Sequence, residues 1–252
     1  MHIFGRTQPL NRYPIHECLD VLKRLGFDGV EVCLENPDLS PASLTVDLAE
    51  EVRDQLDELQ LARSVSYHKN YIHDDQMLEE SKTAIRRTPL FGAEVFVFSG
   101  CRKRDEAGEW QLMVERTREL VRVAEDHGVI LAKEFEPNFV CGCTDDLHRL
   151  FNEIQSDALQ ANLDLGHVFL CDPEPLAAIA GLKDKVAHCH VENMATGVHC
   201  HLPPWKGDMD LAAYIAALKG IGFDGPLALD LYNEDYEEVG PECVRFLKGL
   251  FE

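Results

Sequence analysis

The sequence predicts a single α/β domain over residues 1–252, a closed (β/α)8 barrel, and three observations carry that expectation. Eight short strand-like segments alternate with amphipathic helical patterns along the chain, the order that yields parallel strands joined by crossover helices. Gly26-Phe27-Asp28-Gly29 recurs as Gly222-Phe223-Asp224-Gly225, each time between a helical pattern and a strand. The length of 252 residues suits one barrel, which commonly runs to about 250 residues.

The strand-like segments begin at His2 (HIFG), Gly29 (GVEVCLE), Ala62 (ARSVSYH), Glu94 (EVFVFSG), Val129 (VILAKEF), Ala161 (ANLDLGH), Val186 (VAHCHVEN) and Pro226 (PLALDLY). Between the first two, Ile15, Cys18, Leu19, Leu22 and Leu25 recur at helical spacing, and Gly26 can end that helix in a left-handed conformation. Leu211, Tyr214, Ile215 and Leu218 repeat the pattern before Gly222. Longer amphipathic stretches start at Trp110 and at Thr144, where Thr144 is read as an N-cap.

Side chains alternate along a strand, so each segment sorts into two faces. Leu131, Leu163, Cys189 and Leu229 point one way, toward the helices. Ala132 with Glu134, Asn162 with Asp164, His188 with His190, and Ala228 with Asp230 point the other way, into the lumen. Glu134, Asp164, His190 and Asp230 therefore converge at the C-terminal ends of strands five to eight, where such barrels place their active sites. Glu136 shares the face of Glu134, His188 reads as a lumen-filling residue one step deeper, and Arg6 reads as a solvated loop charge.

Three carboxylates and an imidazole are costly to bury together unless a cation compensates them. Glu134, Asp164, His190 and Asp230 are accordingly read as ligands of a divalent ion. An oxygen-rich set with one nitrogen favours Mn2+ or Mg2+, with Zn2+ and Co2+ chemically compatible. Two His-Cys-His triplets, His188 to His190 and His199 to His201, raise the question of a metal, and of the first only His190 is taken as a ligand.

Composition narrows the partners. Forty-five acidic against 24 basic residues give a formal charge of −21, which opposes approach to a phosphate backbone. The longest apolar runs fall far short of the ~18 residues of a membrane helix, and the N-terminus has no signal-peptide pattern. Nine scattered cysteines fit reduced thiols. The expectation is a cytoplasmic protein with a small-molecule, sugar-like substrate, without nucleic-acid or membrane partners, and with homo-oligomerisation left open.

The order RLGFDGVEV, LAKEFEP, NLDLGH, HCHVEN, HCHLPPWKGDMD and LALDLY resembles the xylose isomerase-like barrel superfamily of sugar isomerases and epimerases, which also contains apurinic endonucleases. The resemblance implies a metal held by the residues already chosen, with His167 of Asp164-x-x-His167 and His68 beside the substrate or a second ion. His199 and His201 resemble further positions for extra metals. Two departures stand out. The family usually ends strand eight with Glu where this chain has Asp230, and the endonucleases place a His where strand four ends here in Ser99-Gly100. Trp205 stands where many relatives have Gly, either narrowing the pocket or packing on its loop.

The reading that follows is a metal-dependent isomerase or epimerase of a small sugar or polyhydroxy keto compound. Glu134 and Asp230 are its acid and base, and His68, His167, Glu136 and Glu35 bind substrate. A dehydratase of a keto-inositol or dehydroshikimate-like acid uses the same scaffold and is the alternative. A phosphodiesterase is opposed by the acidic charge and the missing strand-four His. A non-catalytic metal-binding barrel would bind metal without turnover.

Overall fold

The structure is a computed structural model and describes residues 1–251. Its elements run β1 (His2–Arg6), α1 (Ile15–Leu25), β2 (Gly29–Cys33), α2 (Val46–Glu58), β3 (Ala62–Ser66), α3 (Asp75–Arg87), β4 (Val95–Phe98) and α4 (Glu109–His127). They continue with β5 (Ile130–Lys133), α5 (Thr144–Ile154), β6 (Leu159–Asp164), α6 (Leu165–Cys171), α7 (Pro175–Leu182) and β7 (Val186–Val191). The chain ends with β8 (Asn193–Ala195), β9 (Val198–Leu202), α8 (Leu211–Gly220), β10 (Pro226–Leu229) and α9 (Tyr236–Gly249).

Eight parallel strands close in the order β1-β10-β7-β6-β5-β4-β3-β2, with helices between them. This is the (β/α)8 barrel expected. The register sets the layers of the lumen: Arg6 pairs with Glu31, Asn162 with His188, and both Asp164 and Ala228 with His190. The outward faces, such as Val30, Val32, Leu131, Leu163, Cys189 and Leu229, are buried under the helices. The α1 stripe of Ile15, Cys18, Leu19, Leu22 and Leu25 packs there as its spacing requires. Gly26 and Gly222 both take left-handed φ, 91° and 78°, a conformation glycine adopts without the strain a Cβ adds.

Two local details differ from the sequence reading. The N-cap of α5 is Cys143, and Thr144 is the first helical residue, its hydroxyl donating to Asp172 instead. The stretch after β7 turns back on itself as the antiparallel pair β8-β9, a hairpin additional to the eight strand-like segments of the sequence. Ala195 pairs with Val198 across Thr196-Gly197, and Gly197 has φ 72°, the kind of tight link that favours glycine. Alternation along β9 then puts His199 and His201 on one face, over the mouth of the barrel.

Candidate active site

Two tiers of polar groups fill the lumen. In the lower tier His188 is fully buried, its Nδ1 2.8 Å from Asn162 Oδ1 and its Nε2 3.0 Å from Ser64 Oγ. The Nδ1–H donates to the amide oxygen and Nε2 accepts from the hydroxyl, so the ring is satisfied as the neutral form. Burial lowers its pKa to about 3.

In the upper tier His190 lies two residues further along the same strand. Its Nε2 sits 2.8 Å from Glu31 Oε2, whereas its Nδ1 is buried without a hydrogen-bond partner among the described residues. That nitrogen faces Glu134 Oε1 at 3.4 Å, Asp230 Oδ2 at 3.8 Å and Asp164 Oδ2 at 3.9 Å. Asp164 Oδ2 and His201 Nδ1, the latter 3.4 Å from Asp230 Oδ2, are likewise unpartnered. Burial opposes the imidazolium of His190, but Glu31 and Glu134 outweigh it and raise its pKa well above the ordinary value. Burial also opposes the Glu134 carboxylate, and His190, His68 and His167 outweigh it and hold that carboxyl well below the usual range.

Arg6 and Glu31 support this tier from β1 and β2. The Arg6 guanidinium is 2% exposed, donates from Nε to Glu31 Oε1 at 2.9 Å, and pairs through Nη1 with Asp230 Oδ1. Asp230 Oδ2 is left facing the cavity. Glu192, just past β7, accepts the N–H of Gly166 at 2.8 Å, while burial and the nearby Asp164 push its carboxyl well above the usual range. Gly166 permits that approach, since a Cβ there would stand 2.1 Å from Glu192 Oε1.

A third group closes the mouth. His167 donates from Nδ1 to the Phe135 carbonyl at 2.9 Å, which leaves Nε2 with its lone pair 3.0 Å from His199 Nε2. His201 Nε2 is 3.0 Å from the same His199 atom, and Tyr232, 52% exposed, packs edge-on against His201. The cavity between the upper tier and the mouth measures about 170 Å³ and is lined mainly by charged and imidazole groups. At ~30 Å³ per water it holds the equivalent of about six waters, the scale of a small polyhydroxy molecule.

The donor chemistry fits a divalent ion. Glu134, Asp164 and His190 offer ligand atoms within 4.8 Å of one another, and so do Asp164, Glu192, His201 and Asp230. An imidazole whose far nitrogen is fixed by a carboxylate while the near one is unpaired is the arrangement of a metal-ligating histidine.

Comparison with known proteins places this architecture. The family model described as xylose isomerase-like TIM barrel matches residues 19–250. The chain belongs to the xylose isomerase-like TIM barrel family. Two uncharacterized proteins of Methanocaldococcus jannaschii are similar in sequence. One is 22% identical over 244 residues, 90% of this chain and 87% of its own. The other is 28% identical over 120 residues, 46% of this chain and only 41% of its own length. Among solved structures, D-psicose 3-epimerase from Clostridium cellulolyticum H10, determined with D-tagatose, matches with a TM-score of 0.85 at 13% identity over 100% of both chains. The probable 3-DHS dehydratase of petrobactin synthesis from Bacillus anthracis matches at 0.84 and 14% identity, over 98% of this chain and 99% of that one.

Within this xylose isomerase-like barrel, the residues selected from sequence fall into three positions. Glu134, Asp164, His190 and Asp230 meet around the His190 nitrogen. His68, Glu136, His167, His199 and His201 line the cavity, with Glu134 Oε2 3.4 Å from His68 Nδ1. Glu35 does not line it; its carboxylate accepts the backbone N–H of His68 from behind, because the strand ends before it at Cys33. Arg6 is the clear correction: it is a buried ion-pair centre, because its strand position faces the lumen beside two carboxylates. Trp205 stays outside the cavity and packs toward Phe246 with ring centroids 6.0 Å apart. Glu31, Glu192 and Tyr232 were missed. For Glu31 the signal was present, a carboxylate between two valines on a strand whose alternate face is apolar.

Proposed function

We propose that this barrel is a divalent-metal-dependent epimerase or isomerase of a small sugar or polyhydroxy keto compound. The observation that carries the reading is the unpaired His190 Nδ1 with Glu134 and Asp230 approaching it from strands three positions apart around the barrel. Glu134, Asp164, His190 and Asp230 would hold the ion, with Mn2+ or Mg2+ favoured by the oxygen-rich set. A second ion would suit the three converging Nε2 atoms of His167, His199 and His201, a nitrogen set closer to zinc. Bound at the first site, a divalent cation would polarise the substrate carbonyl and acidify the neighbouring C–H.

The chain's own residues then carry the proton. One carboxylate, Glu134 or Asp230, accepts the proton as the C–H bond breaks and its electron pair moves into the enolate. The other relays a solvent proton onto the opposite side, re-forming C–H with inverted configuration, and the first carboxyl then gives its proton up to solvent. Arg6 holds Asp230 by one oxygen, so Oδ2 alone is presented. His68, whose Nε2 is buried without a partner among the described residues, and Glu136 are placed to bind hydroxyls.

Glu136 supports a second reading. Burial, then the charge of Glu134, raises its pKa, the direction that suits a carboxyl giving a proton to a departing hydroxyl. The same enolate would then lose water, making the protein a dehydratase. Incubating the Mn2+-loaded protein with ketoses, inosose-type compounds and keto acids in D2O separates the readings. Deuterium incorporated into an epimerised or isomerised product supports the first, and water loss giving an ultraviolet-absorbing product supports the second. Turnover of neither kind at full metal loading contradicts both.

A further inference from the structure

Outside the lumen, the loops after β3 and β4 meet over the first turn of α4, and three side chains of different chemistry converge there. His73 comes from the first loop, Cys101 from the second, and Glu109 is the first residue of α4. Their ligand atoms lie within 4.8 Å of one another. Each is fixed by its own backbone contacts. The His73 N–H donates to Asn70 Oδ1 at 3.1 Å, and the Cys101 carbonyl accepts from Val140 N–H at 3.1 Å. Both Glu109 oxygens accept from the Arg104 N–H, at 3.1 and 3.0 Å. Glu109 is buried and His73 and Cys101 half-buried, while residues 102–108 are exposed, leaving an approach from solvent.

We propose that His73, Cys101 and Glu109 form a peripheral metal site for a zinc-class divalent ion, which ties the loops after β3 and β4 together. Thiolate, imidazole and carboxylate from three separate segments are the donors such an ion selects, with water completing four-coordination. A hydrogen-bonded clip accounts for His73 and Glu109, whose Nε2 and Oε1 are 2.7 Å apart, but it gives the thiol no role. Tetrahedral zinc spaces neighbouring N and O ligands by roughly 3.3 Å, so that pair opens by about half an ångström. Burial and Glu109 keep the Cys101 thiol protonated; on metal binding the S–H proton leaves to solvent and the S–metal bond forms in its place. The tied loops carry His68 and Ser99, so occupancy would steady one wall of the cavity without adding a ligand to it.

The site is separable from the lumen by spectroscopy, because none of the lumen donor groups above contains a thiol. Co2+ added to the metal-stripped full-length protein should give a thiolate-to-cobalt charge-transfer absorption in the near ultraviolet, whose amplitude saturates at one thiolate-bound Co2+ per chain beyond the equivalents the lumen takes up, and which Zn2+ bleaches. Cys101→Ser should abolish the band, Glu109→Gln should weaken Co2+ affinity about 10- to 100-fold, and His190→Ala should leave it unchanged. Absence of the band in the wild-type protein, or its persistence in Cys101→Ser, overturns the proposal. So does its loss in His190→Ala.

Discussion

His188 and His190 occupy the same strand and the same face and are equally buried, yet they differ in what their second nitrogen meets. Both nitrogens of His188 are spoken for, by Asn162 and Ser64. His190 spends one nitrogen on Glu31 and aims the other, unpaired, at three carboxylates. Burying an unpaired polar atom costs about 1–3 kcal/mol, so a fold keeps one where a ligand repays it. Residue type and burial do not distinguish a plug from a ligand here; hydrogen-bond completeness does.

The largest expected effect separates the two histidines directly. His190→Ala and Asp164→Ala should lose the lumen ion and all measurable turnover while keeping the fold, as read by metal analysis and circular dichroism. His188→Gln should keep the ion and lose stability only, by about 1–3 kcal/mol in urea titrations. Loss of the ion in His188→Gln would erase the distinction.

Next come the carboxylates. Glu134→Gln and Asp230→Asn each keep a coordinating oxygen but no basic one, so metal affinity should fall partly and kcat by ~10²–10⁴-fold. Near wild-type turnover in either variant would reduce that residue to a ligand and direct attention to Glu136. Arg6→Met leaves Glu31 and Asp230 uncompensated and should cost roughly 3–5 kcal/mol of stability, the usual toll for breaking a buried pair. An unchanged denaturation midpoint would show that the ion pair contributes nothing.

The smallest effect is a proton count. The pKa of His190 is raised in the metal-free protein, so the ring holds a proton at neutral pH that an incoming ion must displace. Metal binding should release protons, and Mn2+ affinity should fall as pH drops. Calorimetry in two buffers of different ionisation enthalpy checks the sign; proton uptake would contradict it.

The barrel was legible in the sequence because strand alternation and the repeated Gly-Phe-Asp-Gly turn are local signals. The lumen carboxylates followed from the same period of two. Arg6 was not legible, because a basic residue ending a short strand looks like a loop charge until the register sets it against Glu31 and Asp230. Glu192 and the β8-β9 hairpin depend on how the chain turns after β7. That turn brings His199 and His201 back over His167, some thirty residues away in sequence, and the only local hint was alternation around Thr196-Gly197.

The central claim is that the unpaired His190 nitrogen and its surrounding carboxylates hold one divalent ion. Mn2+ titration of the metal-stripped wild-type, His190→Ala and His188→Gln proteins, followed by electron paramagnetic resonance, tests it most directly. One tight site in wild type and in His188→Gln, absent from His190→Ala, is the predicted result. Equal Mn2+ binding by wild type and His190→Ala would contradict it.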